Sequence, residues 1–346
     1  MFVHKKDPLE PQGGTETPES VYFNRRKWMK RAGLGTIAAG LATGAAWRWW
    51  HGSDEQVLLQ GQVEDQPRAD QPVPQQSETP APENKPIRSY YPVERDARFE
   101  YDRPETDRIA AARYTNFYEF SKTKEVWRYV KPFRPYDPWQ ITVTGLCRNE
   151  IKIDIEDYYR RYASEFRERQ YRHRCVETWA MAIPWTGISL SHLLKDADPL
   201  PQASHVKFVT FNRPDEAGQQ RIEKFPWPYT EGLTLPEALN ELTFLATGIY
   251  GRPLLKQHGA PIRLVVPWQY GFKSIKSIVN IELTSDQPPT FWSTLNPQAY
   301  PFRSPVDPDV PRPWPQNRER MLGTNERYPT QKFNGYGDYV AKLYQT

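Results

Sequence analysis

The chain has 346 residues, 38% hydrophobic and 14% aromatic, enough for a sizeable core in one large domain or two modest ones. Its formal charge of +4 comes from 46 Lys and Arg against 42 Asp and Glu, but residues 1–52 hold eight of the cations and four of the acids, which leaves 38 of each in the remainder. A neutral body excludes the basic face of a nucleic-acid binder, and two cysteines, Cys147 and Cys175, exclude a disulfide framework.

The first element is a leader in residues 1–52. "NRRKWMKRAGLGTIAAGLATGAAW" opens with Arg25 and Arg26, continues through Trp28 and Lys30, and then runs apolar and small from Ala32 to Ala46. That order of basic and apolar regions is the order of an export signal, and the paired arginines resemble a twin-arginine signal. An uncleaved membrane anchor is the alternative, although 15 residues make a short span. The twin-arginine route moves folded cargo, so the leader predicts a periplasmic protein with a prosthetic group inserted before export. Residues 53–100 carry seven Pro and seven Gln with little large apolar material, the composition of a linker. The globular domain is expected over 101–346.

Within that domain the 34 prolines of the chain favour many turns over long helices. "WQITVTG" (139–145) and "EIKIDI" (150–155) alternate apolar and polar residues, as half-buried strands do. A short helix is expected over 154–166 and a strand over 205–211. "LPEALNELTFLATG" (235–248) reads as a helix with Pro236 near its start and Gly248 as its stop. Strands are expected over 261–268 and 277–285. Short helices among strands give an α+β class with a mixed sheet.

Familiar site chemistries are missing. The six histidines show no zinc-ligand spacing, and CxxC, CxxCH, GxSxG, the Walker lysine and GxGxxG do not occur. What stands out is "YRHRCVETWAMAIPWTG" (171–187), a thiol set among Arg172, His173 and Arg174. In an extended segment His173 and Cys175 share one face and the two arginines the other. Nearby cations lower a thiol's pKa and favour the thiolate, the form that binds soft metals. The competing reading is an inert buried cysteine, and a bridge to Cys147 is also open. Cys147, in "TGLCRNE", reads as a packed residue at a strand end.

The same segment resembles the cysteine segment of the sulfite-oxidase superfamily of molybdenum enzymes. "NFYEF" (116–120), "GAPIRLVVPWQYGFKSIKSIVNIEL" (259–283) and "KFNGYGDYVAKLY" (332–344) narrow the likeness to the exported protein-methionine-sulfoxide reductase catalytic subunits of the MsrP type. The resemblance covers roughly residues 85–346. It implies the sulfite-oxidase-type molybdopterin-binding α+β fold and one Mo-molybdopterin per chain, with Cys175 as the metal's thiolate ligand. The implied cofactor-binding residues are Thr115, Tyr118, Glu119, Thr210, His258, Arg263, Ser274, Ile275 and Lys276. Thr115 and His258 stand where asparagine is common in the family. Glu119 is expected to accept from pterin N–H groups, and Arg263 and Lys276 to pair with phosphate; Arg172 and Arg174 also suit an anion. The activity implied is oxygen-atom transfer from methionine sulfoxide in exported proteins, a repair reaction. Electrons are expected from a membrane haem-b subunit. A sulfite dehydrogenase shares Cys175 and the pterin site but adds a further domain, for which the roughly 60 residues after the last expected strand are too few. A metal-free exported binding module is the non-enzyme alternative.

Overall fold

The computed structural model describes residues 85–101 and 103–345. The leader and the linker as far as residue 84 lie outside the described residues. Alternation builds the first sheet. Its strands are β1 (Gln140–Gly145) and β2 (Ile151–Asp154), with three more named below. In β1 the side chains of Ile141 and Val143 are buried while Gln140 is exposed, and β2 buries Ile151 and Ile153 between exposed residues.

The next two strands do not alternate. β3 (Arg167–Arg174) carries four arginines, and β4 (Trp179–Ser189) is buried along its whole length. They form an antiparallel hairpin from Arg167 opposite Gly187 to Arg174 opposite Ala180. Then follow β5 (His205–Thr210), β6 (Thr230–Thr234), β7 (Phe244–Ile249), β8 (Arg252–Pro253), β9 (Arg263–Val265) and β10 (Ile278–Thr284). Two short strands, β11 (Arg318–Met321) and β12 (Arg327–Pro329), come last.

Two mixed sheets result. The five-stranded sheet has the order β2-β1-β10-β5-β6, with β1 and β10 parallel and the other pairs antiparallel. The seven-stranded sheet has the order β12-β11-β4-β7-β8, with β3 on β4 and β9 on β7; only β11 and β4 pair in parallel. One apolar cluster joins them, from Ile141, Val143 and Phe208 in the first to Tyr171, Ile183 and Phe244 in the second. This is the expected α+β class with mixed sheets.

The helices are short and amphipathic. Ile155–Tyr162 buries Ile155, Tyr158, Tyr159 and Tyr162, one stripe at helical spacing, with acids in its first turn and arginines in its last. The expected helix over 235–248 is corrected. The capping box of Thr234 and Glu237 does start a helix, but it spans only Leu235–Leu239, and after a turn the segment enters β7 at Phe244. A fully buried strand shows no period of two, so its apolar run passes for helix. Two strands after β10 were also not anticipated; β11 is held by β4, a partner far away in sequence. Residues 85–100 form two 3-10 turns, Ile87–Tyr90 and Ala97–Phe99, which bury Ile87 and Phe99. Among the described residues no helix is long and apolar enough to cross a membrane.

Candidate active site

The β3–β4 hairpin presents Cys175 in its connecting turn. Thr178 N–H donates to Cys175 O (2.9 Å) and Cys175 N–H to Trp179 O (2.9 Å), and Thr178 takes φ 74° to close the turn. A β-branched residue in that region is uncommon and marks a backbone held by its surroundings. Three other segments meet the turn around a cleft with about 750 Å³ of empty space, open solvent at its mouth included. They are 115–119, Arg263 of β9, and 271–276.

Segment 115–119 is anchored by its phenylalanines. Phe117 and Phe120 are buried against Phe211, and Phe120 also packs on Phe133. The whole of 115–119 lines the cleft, with Asn116, Tyr118 and Glu119 among its polar side chains. Asn116 Nδ2 stands 3.7 Å from Cys175 Sγ and 3.3 Å from Glu177 Oε2. Lys124 Nζ donates to both Asn116 Oδ1 and Glu177 Oε2, and Trp179 Nε1 donates to Glu177 (3.3 Å). Glu177 is therefore an ion-paired carboxylate beside the thiol. Lys124 and the three side-chain hydrogen bonds outweigh its burial and hold its pKa below the ordinary value.

The arginines flanking the thiol do not face it. Arg174 turns away from the cleft and donates to Cys175 O, Gln316 Oε1 (3.1 Å) and Thr330 Oγ1 (3.3 Å), with Glu319 at 3.4 Å. Arg172 bonds Gln331 and lies 4.3 Å from the ring of Tyr101. Neither lines the cleft, so neither is placed to meet an anion there. The expectation of a depressed thiol pKa is corrected with it. Burial, then the Glu177 charge, pushes Cys175 up to about 12, against smaller lowering effects from Lys124, the Glu177 N–H and Arg174. A metal would take this sulfur by displacing its proton.

Of the residues implied by resemblance, Thr115, Tyr118, Glu119, Cys175, Arg263, Ser274, Ile275 and Lys276 line one cleft. Thr210 and His258 do not. Thr210 Oγ1 donates behind it to Lys276 O (2.8 Å) and Ser277 O (3.0 Å), fixing the backbone that presents Lys276. His258 Nε2 lies 3.2 Å from Ala111 O, and its buried Nδ1 has no partner. Burial pushes its pKa down to about 4, so it is neutral near pH 7.

Two glycines bring the walls close. A Cβ on Gly259 would meet Lys276 Cβ at 2.6 Å, and one on Gly271 would meet His173 Nε2 at 2.8 Å. Arg263 ties the loops together through His258 O (2.9 Å), Ser274 O (3.1 Å) and Leu264 O (3.3 Å). Behind segment 271–276 lies an ion pair that the sequence did not reveal. Lys273 and Glu231 are both 0% exposed, 2.7 Å apart, and Lys273 Nζ also donates to Gly232 O and Phe302 O at 2.6 Å.

The charge balance tests whether an anionic cofactor fits. Arg263 and Lys276 have no ion-pair partner among the described residues. Burial pushes Arg263 down to about 9. Burial and then Arg263 lower Lys276, with Glu119 opposing, while burial raises Glu119. His173 is lowered by burial, then Arg263, then Lys276. Besides burial, Arg263 depresses its neighbours Lys276 and His173, and an anion among them would relieve that. A phosphate-bearing group meets that demand. Among the described residues no group of three or more His, Cys, Asp or Glu could hold a metal, so a metal on Cys175 would need ligands from the cofactor itself.

Comparison with known proteins identifies the family. The model of the oxidoreductase molybdopterin-binding domain matches residues 130–292. The protein-methionine-sulfoxide reductase catalytic subunit MsrP of Gluconobacter oxydans (strain 621H) is 50% identical over 241 residues, 67% of this chain and 76% of its own. The chain belongs to that family. It is a molybdopterin-binding oxidoreductase in class and fold. Among solved structures, the sulfane dehydrogenase SoxCD from Paracoccus pantotrophus covers 43% of this chain and 38% of its own, at 17% identity and a TM-score of 0.36. Sequence reasoning left Asn116, Lys124 and His173 without site roles. His173 did carry a signal, since it shares a strand face with Cys175.

Proposed function

We propose that this protein reduces methionine sulfoxide in exported proteins at a molybdenum–molybdopterin centre held by Cys175. The observation that carries the reading is a buried thiol sharing one cleft with unpaired cations, in a chain 50% identical to a protein-methionine-sulfoxide reductase catalytic subunit. When bound, the cofactor supplies the oxygen-atom and two-electron chemistry. Cys175 gives the metal its protein ligand. Arg263 and Lys276 pair with the pterin's phosphate, Glu119 accepts from pterin N–H groups, and the backbone of 274–276 shapes the pocket. Asn116 and the Lys124–Glu177 pair keep the polar environment of the sulfur fixed. The twin-arginine leader delivers the loaded, folded protein to the periplasm. A membrane haem-b subunit supplies electrons.

The test is elemental analysis of native protein, followed by assays with a methionine-sulfoxide peptide under a chemical reductant and with sulfite under an oxidant. Near-stoichiometric molybdenum with sulfoxide reduction is expected. Sulfite oxidation without sulfoxide reduction, or a preparation free of molybdenum, overturns the reading.

A further inference from the structure

The cleft has a second wall, which the cofactor residues do not account for. Phe272, Trp292 and Tyr300 line it, and of the residues implied for the cofactor Tyr118 alone turns a ring to them. Trp292 stacks on Tyr300 at 5.0 Å and 29°, meets Tyr118 edge-on at 4.9 Å, and Tyr300 meets Phe272 edge-on at 5.1 Å. All four rings are half-buried. The wall is also rigid. The Tyr229 hydroxyl donates to Phe272 O (2.7 Å). Phe291, beside Trp292, is locked in a buried aromatic stack with Tyr229 (4.8 Å) and Phe225 (5.8 Å). By contrast Trp268 and Tyr270, close to Phe272 in sequence, are fully buried and do not line the cleft.

We propose that Tyr118, Phe272, Trp292 and Tyr300 form the seat for the methylsulfinyl end of an oxidised methionine carried on an extended, unstructured stretch of polypeptide. The proposal rests on the reductase reading above and adds the substrate's contacts. A sulfoxide is an amphiphile. Its oxygen carries the negative end of the S–O dipole, and its methyl and methylene groups flank an electron-poor sulfur. Such groups rest on aromatic faces for the reason that onium methyls do, and sulfur itself favours aromatic edges. The lining has both characters, the four rings and the polar group of the Asn116 amide and the Cys175 thiol, with Lys124 bonded to Asn116. The oxygen then points to that polar group and the carbon atoms lie on Trp292. Because the rings are half-buried rather than enclosed, the flanking peptide has room to leave the cleft. Because they are held in place beforehand, little ordering is lost on binding.

The test uses the holoenzyme and a short peptide with one methionine sulfoxide. Trp292→Leu keeps apolar volume and removes the π face; Trp292→Phe keeps a ring. For Trp292→Leu, KM rises about tenfold, kcat stays within about threefold, and the Kd of the peptide for the oxidised, non-turning-over enzyme weakens by the same factor, roughly the worth of one ring contact. Trp292→Phe recovers most of the loss, and molybdenum content stays at the wild-type level in both. A fully loaded, active Trp292→Leu enzyme with unchanged KM and Kd overturns the seat and leaves the reductase reading standing. A wild-type holoenzyme that reduces no methionine sulfoxide overturns both. Should Trp292→Leu lose its metal, the same measurements on Tyr300→Leu decide, with unchanged constants again overturning the seat.

Discussion

Replacing Lys273 by Met exposes how much of the cleft depends on a contact outside it. The ammonium is 0% exposed, and its three protons have three acceptors, Glu231 Oε1, Gly232 O and Phe302 O. Methionine fills similar space and donates nothing. Glu231 would keep only the Gly232 N–H (3.0 Å) on Oε1, and its Oε2 already has no partner. Breaking a buried pair this way costs about 3–5 kcal/mol, which for a domain of this size lowers Tm by roughly 6–20 °C. Burial already raises the Glu231 pKa, with Lys273 the main opposing influence. Without Lys273 it rises further. The folded state then binds the proton more tightly than the unfolded state, so the variant's stability is greatest below the unfolded carboxyl pKa and falls as pH climbs through the raised folded value. Urea denaturation of Lys273→Met and of Lys273→Met/Glu231→Gln between pH 5 and 8 measures this. The double variant should regain much of the loss and lose most of the pH slope. A single variant that costs under about 1 kcal/mol, or a double variant no more stable than the single, refutes the reasoning.

Three further outcomes are expected. Cys175→Ala should fold with a loss of only about 1–2 kcal/mol in urea, the scale of a small core truncation, yet retain no molybdenum by elemental analysis and reduce no sulfoxide. Lys276→Met should keep Cys175 intact but lower the amount of pterin recovered from purified protein, measured by fluorescence after oxidation, with Arg263 left to meet the phosphate alone. Gly187→Ala should cost about 3 kcal/mol or more by urea midpoint, because its Cβ would sit 2.0 Å from Leu245 O and 2.9 Å from Ala246 Cα, backbone atoms of β7 that cannot step aside.

Most elements legible in the sequence have one wet face; β9, expected within 261–268 and buried at all three positions, is the exception. β1, β2, β5 and β10 alternate, and each lies in the five-stranded sheet. β3 and β4 escaped the pattern for opposite reasons. β4 is buried at every position and includes Pro184, so it has no period to find. β3 looks like a solvated charge run, but Arg169 is buried 4.3 Å from the ring of Phe99 and 5.0 Å from that of Phe244, and Arg174 is wholly buried. At the site, family likeness put eight residues into one cleft that no spacing rule would have joined. Alternation had already set Arg172 and Arg174 on the face opposite Cys175, and they do turn away from the cleft; it was the likeness that offered them to an anion. Nor could the likeness separate the cleft aromatics Trp292 and Tyr300 from the core aromatics Trp268 and Tyr270, because composition does not tell a half-buried ring from a buried one.

The brace behind Cys175 sets an order of events. Arg174 reaches Gln316 and Thr330, 142 and 156 positions downstream, and Gln316 Nε2 donates to Val176 O across 140. Contacts of such long range close late, after most loop entropy has been spent. Until then the hairpin bearing the thiol lacks its backing, and a nascent or half-folded chain offers the metal a loose tether in place of a socket. On the reading proposed above, loading is expected only once the chain has folded, and a lesion around Gln316 is expected to surface as a lowered molybdenum content.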